Sequence, residues 1–357
     1  MLSSKKYDLL WLEDPISIYY AIHLSLSTGK LLISKQGAAL FVDGRYLEVA
    51  KKKNPCPVFP LSDEKILDYL LSLQKKELAI GFDSATTSYA SHQKWQELMK
   101  KWEKKTAIAF HLVPEAAPLQ ELRVVKDQEE IRLLKKAAKL NWQGLSHISS
   151  LLQESISEKE LAWEFELFCR KNGAERLAFD PIIAFGENSA YPHYRAGSAL
   201  LKKNECVLMD VGVVVDSYRS DLTRTLFFGK ASGEMARIAS LVQEAHNQAL
   251  LLCRPGVQIG LLDRAVRQVF ARAKVESHYV HSLGHGVGLE IHEYPRIKEQ
   301  GEDRGVTLLP GMVFTIEPGL YFPGIGGVRY EDTILITEQG YENFYPESSV
   351  APNIGAL

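Results

Sequence analysis

The chain is poor in the features that staple or anchor a protein. Its four cysteines (Cys56, Cys169, Cys206, Cys253) are scattered over 357 residues without paired spacing. That excludes a disulfide framework and a cysteine-built zinc cluster, and it fits reduced thiols in a cytoplasmic protein. No apolar run approaches bilayer length, and the N-terminal M-L-S-S-K-K-Y-D lacks the apolar core of a signal peptide. The expectation is a cytoplasmic protein with no membrane partner. An excess of one charge is also missing: 42 Lys and Arg face 44 Asp and Glu, a net charge of -2. That balance gives no electrostatic case for nucleic acid or an anionic surface. The lysine clusters at 51–53 and 100–105 read as solvated faces.

What remains is an ordinary globular composition, 46% hydrophobic and 24% charged, over a length that fits two domains better than one core. The first part alternates strand-like runs (31–34, 38–42, 78–82) with helical stretches (65–75, 91–104), an α/β unit. The boundary falls near 122–127, where L-R-V-V-K-D precedes a long amphipathic stretch, giving domains at 1–124 and 125–357. Beyond it, Ser157 and Glu160 form a capping box ahead of a helix that Asn172-Gly173 stops. Further helices are expected over 233–253 and 261–273.

The chemistry is concentrated in two turn-rich segments and one histidine motif. In V-L-M-D-V-G-V-V-V-D-S-Y-R-S-D-L-T-R-T, apolar and β-branched residues surround Asp210 and read as a buried strand. The chain reverses near Asp216 and Ser217, so Asp221 on the return can lie beside Asp210. The second segment repeats the pattern: 313–316 is a strand ending at Glu317, 318–327 is rich in turn formers, and 328–336 returns with Glu331. His285 sits in H-S-L-G-H-G-V-G-L-E-I-H-E. Buried carboxylates at close range repel unless cations neutralise them. Arg219, Arg224 and Arg329 could supply some of that charge, but four carboxylates and an imidazole suit a pair of divalent ions. Two ions sharing bridging carboxylates can also share an activated hydroxide, which points to a hydrolase. Oxygen ligands with one nitrogen favour manganese, cobalt, iron or zinc over copper.

These blocks resemble the pita-bread metallopeptidases, in particular their proline-directed branch of Xaa-Pro dipeptidases (prolidases) and Xaa-Pro aminopeptidases. The resemblance rests on F-D-P-I-I-A-F-G-E-N-S-A-Y-P-H, M-D-V-G, Y-R-S-D-L-T-R-T, L-G-H-G-V-G-L-E-I-H-E-Y-P, L-L-P-G-M-V-F-T-I-E-P-G-L-Y and G-G-V-R-Y-E-D-T, in this order across nearly the whole chain. Phe185 departs from it, standing where a small residue is common. The implied fold class is α+β: a C-terminal catalytic pita-bread domain with a smaller N-terminal α/β creatinase-like domain. F-V-D-G-R-Y belongs to the latter, which simple peptidases of the fold lack. The family's N-terminal domain often contributes to dimer contacts, so a homodimer is implied.

The resemblance also assigns roles. Asp210, Asp221, His285, Glu317 and Glu331 match the five ligands of two divalent ions, manganese or cobalt by family habit, with Asp221 and Glu331 bridging. Glu317 matches the residue that shuttles a proton to the leaving nitrogen. His193 and His292 match histidines that contact substrate or stabilise the tetrahedral intermediate. His281 and Arg329 match groups near the substrate. Peptide bonds before proline lack an N–H, and a dimetal site can attack them without one. Tyr191, Tyr194, Phe185 and Tyr321 are candidate walls for the proline ring. The expected activity is hydrolysis of the Xaa-Pro bond in peptides, leaning to an aminopeptidase. Xaa-Pro dipeptidase is the alternative, and a non-catalytic pita-bread binding module a more distant one, since such modules typically lose ligands retained here.

Overall fold

The computed structural model describes residues 5–53 and 55–345. It divides into two compact units, Met1–Glu121 and Leu122–Leu357.

In the first unit the elements run β1 (Leu9–Leu12), α1 (Pro15–Ile22), β2 (Lys30–Ser34), β3 (Gly37–Val42), α2 (Leu47–Lys53), β4 (Val58–Pro60), α3 (Asp63–Ser72), β5 (Glu77–Asp83), α4 (Tyr89–Thr106) and β6 (Ala109–Glu115). They form one mixed sheet in the order β4-β3-β2-β1-β5-β6. Strand alternation splits its side chains between two cores. Leu9, Trp11, Leu32 and Phe41 pack on one face with α3 and α4, while Leu10, Leu12, Leu31 and Leu40 pack on the other with α1.

After α5 (Gln120–Val124), the second unit continues with α6 (Gln128–Ser150), α7 (Glu158–Lys171), β7 (Arg176–Leu177), β8 (Ile182–Phe185), β9 (Glu205–Val211), β10 (Val213–Val215), β11 (Tyr218–Arg219) and β12 (Leu222–Phe228). Then come α8 (Gly233–Leu250), α9 (Ile259–Arg272), β13 (Gly284–Gly286), β14 (Glu293–Ile297), β15 (Val313–Ile316), β16 (Gly319–Phe322), β17 (Gly326–Arg329), β18 (Asp332–Ile336) and β19 (Tyr341–Asn343). Each half therefore runs a helix pair followed by antiparallel strands. The α6–α7 pair shares a core with β8, β9 and β12, and α8–α9 share one with β15 and β18. The two halves meet where the Glu331 N–H donates to the Thr223 carbonyl at 3.1 Å. That pairing sets the first acid-bearing hairpin beside the second.

Local signals account for most elements. Asp127 with Glu130 and Ser157 with Glu160 form capping boxes at the starts of α6 and α7. Asp216 and Ser217 both have positive φ (47° and 72°) in a two-residue connection between the paired residues Val215 and Tyr218, the conformation a type I′ hairpin turn requires. One expectation is corrected. The stretch 318–327 is more than a turn: it holds β16 and the start of β17, which pair as a hairpin of their own with Gly319 opposite Arg329. Its glycines and two prolines read as turn formers, but pairing to a neighbour decides strand formation.

Candidate active site

The first acid pair comes from the β9–β12 ladder. Asp210 lies opposite Thr223, and Asp221 stands just before β12. The second pair comes from β15 and β18, where Ile316 faces Asp332 and Glu317 and Glu331 follow and precede these strands. His285 reaches the same place on β13, which is pressed between neighbours. A Cβ on Gly284 would lie 2.0 Å from the Thr315 carbonyl oxygen, and one on Gly286 2.4 Å from that of Tyr294. Only glycine permits that approach, which explains the G-H-G spacing.

Asp221, His285 and Glu331 offer ligand atoms within 4.8 Å of one another. His285 Nε2 is 3.7 Å from Asp221 Oδ2 and 3.3 Å from Glu317 Oε1. Asp210 instead accepts from the Arg329 guanidinium. All nine residues singled out from the sequence (His193, Asp210, Asp221, His281, His285, His292, Glu317, Arg329 and Glu331) line one cavity of about 870 Å³.

The surroundings of these groups are specific. His285 Nδ1 is 3.1 Å from the Gly286 carbonyl. A carbonyl can only accept, so the proton sits on Nδ1 and Nε2 is turned toward the acids. The His281 Nδ1 donates to the Ser282 carbonyl at 2.8 Å, and its Nε2 accepts from the Tyr321 hydroxyl at 3.0 Å. Tyr321 in turn accepts from Arg329 Nη1 at 2.7 Å. Burial holds His281 below the usual histidine range. The Thr223 hydroxyl donates to Glu331 at 2.6 Å and accepts from Arg329 Nε at 3.1 Å.

The acids are out of balance. Burial first, and then repulsion by Glu331, Asp210 and Glu317, pushes Asp221 well above the ordinary carboxylate range. Burial and the charges of Glu317 and Asp210 do the same to Glu331. Glu317 resists the effect of its burial because His285 bonds it and holds it down at about 2. Asp210 Oδ1 is buried without a hydrogen-bond partner. Four acids with one guanidinium and one imidazole among them are a site short of positive charge. The donor set, carboxylate oxygens and one imidazole nitrogen, suits hard or borderline divalent cations. The residues present therefore fit a divalent metal centre.

Three of the aromatics expected to line the cavity do not. Strand alternation on β8 sends Ile182 toward the cavity and Phe185 into the core against α7. Tyr191 is exposed, and Tyr321 is buried behind Arg329 and His281. Tyr194 does line the cavity, with Phe179, Ile182 and Ile291 as apolar walls. Sequence reasoning also missed Arg296, which lines the cavity from β14. Its Nε donates to the Ser282 hydroxyl at 3.4 Å. Its place in I-H-E-Y-P-R, four residues after the cavity residue His292, is a signal that could have found it.

The sequence of the second unit matches the model of metallopeptidase family M24 over residues 132–338. The chain belongs to this family. The creatinase/prolidase N-terminal domain matches over residues 1–125. The Xaa-Pro dipeptidase of Pyrococcus furiosus is 34% identical over 340 residues, covering 95% of this chain and 93% of that protein. The solved structure of a Xaa-Pro dipeptidase from Bacillus anthracis superposes with a TM-score of 0.88 at 32% identity, covering 96% of this chain and 94% of the other. The X-Pro aminopeptidase of Thermotoga maritima follows at TM-score 0.85 and 28% identity, covering 96% and 97%. The fold is the expected two-part α+β architecture, and the M24 protein is a metallopeptidase of the kind that uses divalent metal. These likenesses back the dipeptidase alternative better than the lean to an aminopeptidase. No helix among the described residues is long and apolar enough to cross a membrane.

Proposed function

We propose that the protein is a Xaa-Pro dipeptidase, a cytoplasmic homodimer loaded with two manganese ions or, in their place, cobalt, iron or zinc. Its substrates would be dipeptides with a C-terminal proline. The observation that carries the dipeptide reading is Arg296. It lies on the cavity wall, forms no ion pair among the described residues, and offers a planar fork for a free carboxylate close to the scissile bond. Arg329 is not free for that duty because Asp210 holds it. Phe179, Ile182 and Ile291 supply the apolar surface a pyrrolidine ring needs.

Asp210, Asp221, His285, Glu317 and Glu331 would hold the metals, with Asp221 and Glu331 shared between them. Bound there, the metals would polarise the scissile carbonyl and make water acidic enough to attack at neutral pH. Glu317 would take the proton of the attacking water and pass it to the prolyl nitrogen as the C–N bond breaks. His292, whose ring lies 4.3 Å from that of His285, and His193 would donate to the oxygen that becomes negative. Arg329 would fix Asp210.

Purified protein assayed with Ala-Pro, Ala-Pro-Ala and Ala-Ala-Ala, with and without added manganese or cobalt, tests this. Metal-dependent cleavage of Ala-Pro alone is expected. Efficient cleavage of Ala-Pro-Ala would shift the protein to the aminopeptidases, and no cleavage of either proline peptide would leave a binding module.

A further inference from the structure

Glu158 opens α7, yet it does not cap that helix. Ser157 and Glu160 already form the capping box. The side chain of Glu158 is completely buried, and a buried carboxylate is costly unless its lone pairs are filled. Here four donors fill them. Oε1 accepts from the Phe185 N–H at 2.9 Å and the Asn188 side-chain amide at 2.8 Å. Oε2 accepts from the Tyr194 hydroxyl at 2.9 Å and the Gly197 N–H at 3.0 Å. The four lie on one stretch, 185–197, which leaves β8 and carries both His193 and Tyr194 to the cavity. Around His193 itself the local backbone bonds are few, Tyr191 N–H to Asn188 at 3.2 Å and Tyr194 N–H to Tyr191 at 3.1 Å. The helix N-terminus adds a favourable field for the negative charge.

We infer that Glu158 is a positioning residue. One buried carboxylate pins both ends and the middle of the 185–197 segment, and so sets where His193 and Tyr194 meet the substrate. Glu158 touches neither the acids nor the cavity, so its effect should fall on what His193 and Tyr194 do to the substrate and leave the metals in place. This rests on the proposed peptidase reading for the kinetic test only.

Glu158→Gln keeps the shape but turns one acceptor into a donor that faces two donors. With Ala-Pro as substrate, KM should rise about tenfold, as for the loss of one charge-assisted hydrogen bond. kcat should fall as well, because His193 would donate to the developing oxyanion, while metal content should not change. Glu158→Asp should recover part of the KM. Asn188→Ala, which removes one donor outside the cavity, should shift KM in the same direction by less and covers the case in which the Gln variant fails to fold. Hydrogen exchange reads the same device without any substrate: backbone amides of 185–197 should lose protection in both variants while those of β9 keep theirs. An unchanged KM with lowered stability, or unchanged protection of 185–197, would overturn the inference. A wild-type protein that cleaves no proline peptide sinks the peptidase reading and leaves the exchange measurement to decide this one.

Discussion

Glu331 and Asp332 are neighbours in the chain and both are buried, but they live in opposite electrostatic worlds. Extended backbone sends them to opposite sides. Asp332 faces the core, where Arg224 donates to it at 2.6 Å and Asn343 at 2.8 Å. Burial alone would raise its carboxyl, yet Arg224 holds it below the usual range. His246, 3.3 Å away, adds little charge because burial drives it down to about 4. Arg224 is itself held, 4.0 Å over the Tyr330 ring, with further bonds to the Thr223 and Glu331 carbonyls. Glu331 faces the cavity among three other acids and is pushed up. The protein can neutralise a buried acid with its own cation and does so one residue away. That it does not do so at Asp221 and Glu331 is what supports the proposed metal site, more than the count of acids does.

The largest expected effect comes from the unneutralised side. Asp221→Ala should abolish both activity and bound metal, because the ligand proposed to serve both ions has no substitute in the remaining set. Elemental analysis of the purified variant checks it, and retained metal would break the contrast. Without metal the variant should unfold no more easily than the metal-free wild type, since the repulsion it removes from Glu331, Asp210 and Glu317 outweighs the 3.7 Å approach to His285.

The neutralised side should behave in the opposite way. Asp332→Asn leaves Arg224 buried without its counter-charge, which should destabilise the fold by about 3–5 kcal/mol. Denaturant titration of the metal-free protein measures it. A loss below about 1 kcal/mol would place Asp332 with ordinary surface pairs and remove the basis of the comparison.

A cavity residue with no ligand duty sharpens it further. His292→Ala should keep the metals and slow turnover by about a hundredfold, the scale of one lost oxyanion donor. Near-normal kcat with full metal content would refute that role.

The same contrast shows what could be read in the sequence. Asp210, Asp221, His285, Glu317 and Glu331 stand in compact motifs whose hairpin geometry is local, so spacing and turn residues were enough to name them together. The reversal at Asp216–Ser217 and the box at Ser157–Glu160 are legible for the same reason. The partners that set the charge of each acid were not. Arg329 lies 119 positions from Asp210, and Arg224 lies 108 from Asp332. Pairings at that separation follow from sheet register and leave no periodic trace. The face of Phe185 is not legible because it depends on where β8 docks, and the role of Glu158 is not because a glutamate at a helix start reads as an ordinary dipole partner.

The smallest effect is also the most diagnostic, because metal should reverse it. In the metal-free protein Asp221 and Glu331 sit above their unfolded values, which lie near 3.9 and 4.3 in flexible chains. As pH rises through that range the unfolded chain releases protons that the folded state keeps, so stability must fall with pH until the folded carboxyls ionise. Glu293 runs the other way. Burial opposes its ionisation, but Lys126 at 3.3 Å and Arg123 hold it below its unfolded value. Its contribution is present above the ordinary carboxylate range and is lost as pH falls beneath it. Thermal unfolding in chelator should therefore show stability declining from mildly acidic toward neutral pH. Glu293→Gln should remove only the loss at the acid end. With manganese in excess the decline toward neutral pH should disappear, because bound metal favours the ionised ligands and is released by acid. A metal-free protein whose stability is flat or rises over that interval would mean that Asp221 and Glu331 already have compensating charge, and the distinction from Asp332 would collapse.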